Sequence, residues 1–473
     1  MNSTLKVRNL KSENICSMIL DLFLLLVIAM GLWLVMPAYF IVGDKNEIVL
    51  NLLYAFGIMC FMAALEKYSV TIAGMQEKVV INVLSALYTF VCMCIVNLIF
   101  FNVREKYISD VIYALLAVAL LTASDYIMKI IFANPKRYRK PRLLIISSRE
   151  KTFLRMKRIK YGALSSYDSW YENLDGIDFG EFKEFAKKRF SEFDAICILD
   201  GLGENEYNIA VKTAINLQKD LFIVPNMIDV GKTNAKQVRF DDVLTLYMPK
   251  HYISRAEFLL KRIMDLVIGT FALIVAAVPM LIIAIAIKLT SPGPVLYKQE
   301  RMTKDKKRFM IYKFRTMIPD AEKLTGPKFA EKDDPRITKI GKILRSCRLD
   351  ELPQIFNILK SDMSIVGPRP ERPVFVEHFE KEIENYDYRF AVKAGLTSLS
   401  HVYGRYSTYI HDRTYYDIFY ITNYSFLMDL KIILLTTKTM FIKSSAEGED
   451  DFKENTSVEN INKSTKIKEE VNL

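Results

Sequence analysis

The sequence has few cysteines, six in 473 residues, and they form no recognisable motif. Four of them lie in apolar runs, and none has the spacing of a metal-ligand pair, which argues against a disulfide framework. A glycine-rich phosphate loop is also missing. After the first strand predicted in the soluble part of the chain stands Ser147-Ser148-Arg149-Glu150. Without glycines the backbone cannot easily approach a pyrophosphate, so a dinucleotide site is not expected.

Exposed aromatic residues interleaved with basic ones on a single module are missing as well, and nucleic acid is therefore not an expected partner. What the sequence has in abundance is hydrophobic residues, 51% of the chain, together with a net charge of +11. This combination predicts a membrane protein with basic cytoplasmic faces. Partners that carry phosphate, either nucleotides or anionic lipid headgroups, fit the same charge.

Four apolar runs open the chain, at about 16–42, 49–70, 79–102 and 108–132. Each reaches the roughly 20 residues that span a bilayer. The first is too long for a cleavable signal peptide and lacks a cleavage site. Basic residues precede the first run and follow the fourth, which predicts a four-helix transmembrane region over 1–135 with both ends in the cytoplasm. Four acids lie in or beside these runs, and their scatter favours helix packing over a transport path; they are Asp21, Glu66, Asp110 and Asp125.

Residues 141–252 read as a cytoplasmic, Rossmann-like α/β domain. Short apolar runs at 142–148, 194–200 and 221–225 predict buried strands, and helical patterns lie between them. Strands that alternate with helices are typical of a parallel sheet. Because the phosphate loop is absent, a regulatory or dimer-forming role is the better interpretation, and a homodimer is left open.

A fifth apolar run, 263–287, has basic residues on both flanks. Pro279 lies near its middle, where it removes a backbone hydrogen bond and bends a helix. We therefore predict a re-entrant membrane helix over 263–288 that enters and leaves on the cytoplasmic side. The alternative is an ordinary fifth span, which would place the rest of the chain outside, away from nucleotide substrates.

The stretch Arg345–Pro370 contains the strongest chemical pattern. The adjacent acids Asp350 and Glu351 lie between arginines on one side and the Gly367-Pro368-Arg369-Pro370 turn on the other. Such carboxylates can hold a divalent cation or attack phosphorus, while guanidinium groups neutralise phosphate oxygens. The plainer interpretation is a solvated helix start, with acids near the positive end of the helix dipole and proline in the first turn.

Residues 261–443 resemble the catalytic domain of the bacterial sugar transferases, the polyprenyl-phosphate glycosyl-1-phosphate transferases. The matching segments include SPGPVLYKQER, IYKFRTM, DPRITKIGKILR, LDELPQIFNIL and DMSIVGPRP. The resemblance implies a mostly α, membrane-embedded catalytic domain over 258–443. The preceding four helices and α/β domain look like the long form of the family. From 444 to 473 the polar composition predicts a disordered tail.

By this resemblance the protein transfers a sugar-1-phosphate from a UDP-sugar to undecaprenyl phosphate, which belongs to the polyprenyl phosphates, the general acceptor class. It would release UMP at the cytoplasmic face of the bacterial plasma membrane and initiate exopolysaccharide, capsule or another surface glycan. Asp350 would be the nucleophile and a ligand of the cofactor Mg²⁺, with Glu351 assisting in metal or proton handling. The substrate-binding positions would be Lys313, Arg345, Arg369 and Arg405.

The sequence also departs from the family motifs. Val278 stands where serine usually precedes the proline, and Ala394, Ser398 and His401 replace the usual proline, glycine and glutamine. These last three changes point to an unusual sugar. They also leave room for a different class of function, a catalytically silent membrane scaffold that organises glycan assembly. The scattered membrane acids give only weak support to a third class, a transporter.

Overall fold

A computed structural model describes residues 6–7, 10–35, 46–69, 74–96, 98, 106–132, 138–148, 167–199, 202–225, 229–230, 233, 235–240, 243–247, 253–318, 336–383, 385–404 and 410–441. The predicted tail at 444–473 lies outside these residues. The chain divides into two compact units, Met1–Asn226 and Met227–Leu473. Each unit is described by itself.

The first unit opens with four apolar helices, as predicted: α1 (Leu10–Val35), α2 (Asn46–Ala64), α3 (Met75–Val96) and α4 (Lys106–Phe132). In α1, α3 and α4 the apolar stretch is long enough to cross a membrane, whereas α2 has a shorter apolar stretch over Val49–Ala64. Before α1 and after α4, the two-residue strands β1 (Lys6–Val7) and β2 (Tyr138–Arg139) pair in parallel.

Charged residues meet inside this helical bundle. Lys67 follows α2, and its Nζ lies 2.8 Å from Asp21 Oδ2 and 3.0 Å from Asp125 Oδ2, with all three side chains fully buried. Lys78 adds a longer contact of 3.6 Å to Asp125. Asn82 donates to Asp125 across the bundle. Asp21 and Asp125 thus link helices, as the packing interpretation expects.

The rest of the first unit is a parallel sheet with helices. Its strands are β3 (Arg142–Ser147), β4 (Asp168–Asn173), β5 (Ala195–Ile198) and β6 (Asp220–Ile223), and its helices are α5 (Phe179–Ser191) and α6 (Glu204–Asn216). The strand order is β4-β3-β5-β6, with every neighbouring pair parallel. The central strands are apolar and buried, which is typical of parallel sheets. Both helices pack on the same face of the sheet. The predicted parallel α/β arrangement is confirmed.

The second unit contains the helices α7 (Arg255–Thr290), α8 (Lys339–Ser346), α9 (Gln354–Leu359), α10 (Pro373–Glu382), α11 (Leu399–Tyr403), α12 (Ile410–Thr422) and α13 (Phe426–Phe441). Its strands are β7 (Lys236–Phe240), β8 (Val243–Tyr247), β9 (Leu296–Met302), β10 (Arg308–Phe314), β11 (Ser364–Val366) and β12 (Gly395–Thr397). Short 3₁₀ turns cover Lys304–Lys306, Leu349–Glu351 and Tyr386–Ala391. The pairs β7–β8 and β9–β10 are antiparallel, and β11 pairs with β12 in parallel.

Helix α7 is the long apolar element of this unit and runs through Pro279 for 36 residues. It begins eight residues before the predicted start because Ser254 and Glu257 form a capping box, which satisfies two free backbone amides. Its first turns are fixed to polar neighbours. Lys261 Nζ lies 2.7 Å from Asp429 of α13, and Asp265 accepts hydrogen bonds from the Ser364 hydroxyl and the Ile365 amide. The start of α7 is therefore part of the protein core, whereas many of its later side chains are exposed and apolar.

Candidate active site

The two acidic residues lie on the 3₁₀ turn Leu349–Glu351, directly before α9. Arg348 begins this turn in the left-handed region, with φ of 54°. A non-glycine residue in that region is strained, a feature that is common at functional sites. The flanking Leu349 and Leu352 pack in the cluster that contains Met280 and Ile283 of α7. The flanking leucines therefore attach the turn to the long apolar helix, directly before the start of α9.

Lys313 reaches the turn from strand β10. Asn357 of α9 attaches this strand, because its side chain accepts from the Tyr312 amide at 3.0 Å and donates to the Met310 carbonyl at 2.8 Å. Lys313 Nζ then lies 2.7 Å from Oε1 of Glu351. The strand and α9 together fix the lysine next to the carboxylates.

Arg369 approaches from the loop after β11, and its Nη2 lies 3.2 Å from the same Oε1 of Glu351. The loop can take this course because glycines lie where β11 and β12 meet. A Cβ on Gly367 would come 2.3 Å from the carbonyl oxygen of Lys393, and one on Gly395 would come 2.1 Å from the Gly367 amide. Larger residues there would separate the two strands and displace the arginine.

Arg345 lies in the last turn of α8, and its Nε donates to the hydroxyl of Thr316 at 2.9 Å. The helix approaches this segment closely at Gly341, where a Cβ would lie 2.1 Å from the Thr316 carbonyl oxygen. The glycine therefore sets the position of α8 and of its arginine. Burial raises the pKa of Asp350, and Arg345 is near enough for its charge to oppose that rise.

The two neighbouring carboxylates have opposite electrostatic environments. Burial opposes ionisation of Glu351, but the charges of Lys313 and Arg369 outweigh it and hold the pKa of this carboxyl well below its usual range. Burial and the adjacent charge of Glu351 raise the pKa of Asp350, in spite of Lys313 and Arg345. Among the described residues, the Asp350 side chain takes part in no ion pair. Glu351 is thus neutralised by cations, and Asp350 is left available.

Arg348 and His401 also lie at the site, although neither was among the predicted site residues. His401 of α11 pairs through Nε2 with Nη1 of Arg348. Burial and the charges of Arg348 and Arg369 lower the pKa of His401 to about 3, so the imidazole is neutral and accepts from the arginine. The departure of His401 from the family motif was the only signal available for this contact.

Of the six predicted site residues, the structure brings five together: Lys313, Arg345, Asp350, Glu351 and Arg369. The sixth, Arg405, lies outside the described residues. The other two departures in this region have structural partners. The Ala394 amide donates to Thr303 Oγ1, and Ser398 caps α11 by accepting from the His401 amide at 3.0 Å.

The donor set suits Mg²⁺. In phosphoryl-transfer sites this ion is bound by one or two carboxylates together with substrate phosphates and water, not by a cage of protein ligands. Asp350 and the Oε2 atom of Glu351 supply carboxylate oxygens, since both cations contact Oε1. Within the part of the chain that the structure describes, no group of three or more His, Cys, Asp or Glu side chains converges on one point.

The part of the chain that contains these residues resembles known proteins in sequence. The family model "Bacterial sugar transferase" matches residues 256–443. An Aeromonas hydrophila protein named UDP-N-acetylgalactosamine-undecaprenyl-phosphate N-acetylgalactosaminephosphotransferase is 41% identical over 214 residues, which are 45% of this chain and 50% of that protein. In that comparison the chain spans about half the length of its relative.

Two other relatives extend the match. A Bacillus subtilis (strain 168) protein named putative undecaprenyl-phosphate N-acetylgalactosaminyl 1-phosphate transferase is 49% identical over 130 residues, covering 28% of this chain and 72% of the relative. The galactosyl transferase CpsE of Streptococcus agalactiae serotype III (strain NEM316) is 29% identical over 386 residues, 76% of this chain and 80% of that protein. The chain therefore belongs to the bacterial sugar transferase family.

Proposed function

We propose that the protein transfers a sugar-1-phosphate from a UDP-sugar to undecaprenyl phosphate and releases UMP, as the first step in the assembly of a surface glycan. The relatives' names support this reaction, since the Aeromonas protein is named for a UDP-sugar and undecaprenyl phosphate. The sugar differs between the names, N-acetylgalactosamine in one and galactose in another. We therefore assign the class of donor and not the individual sugar.

One observation carries the proposal: the two neighbouring carboxylates differ in whether they are ion-paired with described cations. Glu351 is ion-paired with Lys313 and Arg369, whereas Asp350 is not paired with any described cation. A catalytic nucleophile must be free to attack, and a carboxylate already bonded to two cations would be a poor one. The cations near the two carboxylates, which include Lys313, Arg345 and Arg369, supply the positive charge that stabilises phosphate oxygens in the transition state.

The proposed reaction takes place in two displacements. An oxygen of Asp350 attacks the sugar-proximal phosphorus of the donor, the bond to the bridging oxygen breaks, and UMP leaves with that bonding pair. The sugar phosphate is then carried as an acyl phosphate on Asp350. A phosphate oxygen of the lipid attacks the same phosphorus, the bond to Asp350 breaks, and the aspartate is restored as its carboxylate. Lys313, Arg345 and Arg369 bind the phosphoryl oxygens throughout.

Mg²⁺ would be held by Asp350 with Oε2 of Glu351, and it would supply charge neutralisation on the donor's diphosphate. The protein's own contribution is positional. Glu351 keeps Lys313 and Arg369 at fixed distances of 2.7 and 3.2 Å from one oxygen, so these cations are in place before substrate binds. Fixed charges of this kind need no reorganisation during the reaction.

The membrane arrangement belongs to the same proposal. Helix α7 contains Pro279, and its flanks are basic, with Lys261, Arg262 and Lys288. We infer that it is re-entrant and that the site faces the cytoplasm at the depth of the lipid headgroups, where both substrates are present. The four-stranded parallel sheet supports a Rossmann-like assignment for the soluble part of the first unit, with an accessory role.

The test is UMP release by the full chain in membrane vesicles supplied with undecaprenyl phosphate and UDP-sugars, starting with UDP-N-acetylgalactosamine and UDP-galactose. Asp350→Asn should reduce the rate by at least ~10³-fold, as expected when a nucleophile is removed. Exposed Asp387 provides the control, and Asp387→Asn should retain the wild-type rate. In sealed vesicles, only inverted ones should show activity, because nucleotide sugars do not cross the bilayer.

A UDP-sugar whose sugar is radioactive, supplied without lipid acceptor, should label the wild-type protein. The label should be held in an acyl phosphate that hydroxylamine cleaves. Asp350→Asn should remain unlabelled. If the wild-type protein releases no UMP with any UDP-sugar, the catalytically silent scaffold becomes the better interpretation. If Asp350→Asn stays active or is labelled, Asp350 is not the nucleophile.

A further inference from the structure

Asp417 is a buried carboxylate behind the site that the proposed reaction does not use. It lies on α12, is 2% exposed, and its Oδ2 is 2.9 Å from Nη2 of Arg389. Arg389 lies on the turn Tyr386–Ala391 and is itself 4% exposed. Burial raises the pKa of Asp417 to about 6, so the group is still an anion at neutral pH.

Such a buried pair is not explained by stability alone. Removing two charges from water costs several kcal/mol each, and well-packed apolar residues often replace a buried ion pair with no loss of stability. The role of the pair is therefore inferred from the residues that it contacts. Two connections lead from Asp417 to the residues around Asp350.

The first connection passes through Arg389. Its Nη2 lies close to Asp417 and also donates to the backbone carbonyl of Arg369 at 2.8 Å. Its Nη1 donates to the Tyr386 hydroxyl. A guanidinium is planar, so contacts on both terminal nitrogens fix its orientation. That orientation in turn fixes the backbone of Arg369, whose side chain contacts Glu351.

The second connection passes through Ser400, whose hydroxyl donates to Oδ1 of Asp417 at 3.4 Å. Ser400 lies on α11 next to His401, the partner of Arg348. Arg348 in turn begins the turn that carries both carboxylates. One buried anion is thus connected to the supports of two arginines, Arg348, which begins the active-site turn, and Arg369, which contacts Glu351.

We propose that Asp417 is a positioning residue that acts through Arg389 on Arg369 and through Ser400 on the His401–Arg348 pair. This inference rests on the proposed function. Without the anion, the Arg389 guanidinium loses one of the contacts that orient it, and the donor to the Arg369 carbonyl is less firmly fixed. Displacement of a catalytic group by about 1 Å can cost ~100-fold in rate.

The test is a double-mutant cycle measured as UMP release by the full-length protein in detergent or vesicles. Asp417→Asn keeps the shape of the side chain and should lower kcat by ~10- to 100-fold, with little change in KM for the UDP-sugar. In an Arg369→Ala background the same substitution should cost less than ~3-fold, because the main group it positions is already gone. Glu382→Gln, at an exposed carboxylate on α10, is the matched control and should have no effect.

A purely structural role predicts a different result, the same factor of loss in both backgrounds, and that outcome would overturn the inference. If Asp417→Asn does not yield folded protein, Tyr386→Phe replaces it, since it removes only the hydroxyl that holds Arg389 Nη1. Tyr386→Phe should lower kcat by a smaller factor, and that decrease should likewise vanish in the Arg369→Ala background. Failure of the proposed function itself is distinguishable, because the wild-type protein would then release no UMP.

Discussion

Two clusters of charge in this protein are built from the same kinds of side chain but differ in how the charges are paired. In the helical bundle, Asp21 and Asp125 face Lys67 and Lys78, and the central three side chains are fully buried. At the candidate active site, four cations surround two carboxylates; they are Lys313, Arg345, Arg348 and Arg369. The bundle cluster is balanced, whereas the site cluster has more positive than negative charge.

The difference indicates what each cluster is for. A balanced, buried cluster is suited to joining apolar helices in a membrane, where an unpaired charge is very costly. At the candidate site, cations outnumber carboxylates among the described residues, and the proposed donor, a nucleoside diphosphate sugar, would supply the missing negative charge. Substitutions in the bundle cluster should therefore change stability, and substitutions in the site cluster should change activity.

The largest effect is expected for Lys67→Met, after which Lys78, 3.6 Å from Asp125, is the remaining cation among the described ion pairs of Asp21 and Asp125. Breaking a buried ion pair by removing one partner costs about 3–5 kcal/mol. The unfolding midpoint in detergent should fall accordingly, while UMP release per folded molecule stays unchanged. Lys78→Met is the matched control, and its effect should be much smaller because its contact is 3.6 Å and partly exposed. Equal stability of Lys67→Met and wild type would show that the bundle cluster does not hold the helices together.

The next effect is expected for Glu351→Gln at the site. The neutral carboxamide lacks the negative charge that holds Lys313 and Arg369, and these cations are then free to pair with Asp350. We expect UMP release to fall by ~100-fold, or about 3 kcal/mol of transition-state stabilisation. The unfolding midpoint should stay the same or rise, the reverse of the Lys67→Met result.

Glu300→Gln is the control for this substitution, since Glu300 forms an exposed pair with Arg308 on the same hairpin as Lys313. Glu300→Gln should change neither the rate of UMP release nor the unfolding midpoint. If Glu351→Gln lowers stability as much as Lys67→Met does, the two clusters are alike and the comparison fails.

The parts that could be predicted from sequence are those that depend on local pattern. The run predicted at about 108–132 forms α4 at Lys106–Phe132, because a long apolar stretch allows few structures besides a helix. The buried strands β3 and β5 were also apparent as short apolar runs. Strand β4 was missed, since its polar sequence Asp168–Asn173 lies at the sheet edge and has no apolar alternation.

Contacts between distant segments could not be predicted in the same way. Nothing near Lys67 in sequence indicates that it meets Asp21 and Asp125, which are 46 and 58 residues away along the chain. The motifs selected Asp350 and Glu351 but did not show which one is ion-paired. That distinction depends on where β10 and the loop after β11 place their cations. The capping box at Ser254 and Glu257, by contrast, was a local signal that would have placed the start of α7 correctly.

The smallest effect is expected for His401→Gln, which restores the residue usual at this position in the family motif. The pKa of His401 is lowered to about 3 by burial and by Arg348, so the imidazole stays neutral as the pH falls from about 8 to about 5. Glutamine can accept the same hydrogen bond, and the rate should stay within ~3-fold of wild type with an unchanged pH profile. His401→Ala removes the acceptor and should cost more, ~10-fold. A rate decrease near pH 6–7 in the wild-type protein that disappears in His401→Gln would show instead that the histidine titrates, and that the cations around the site are not close enough to keep it neutral.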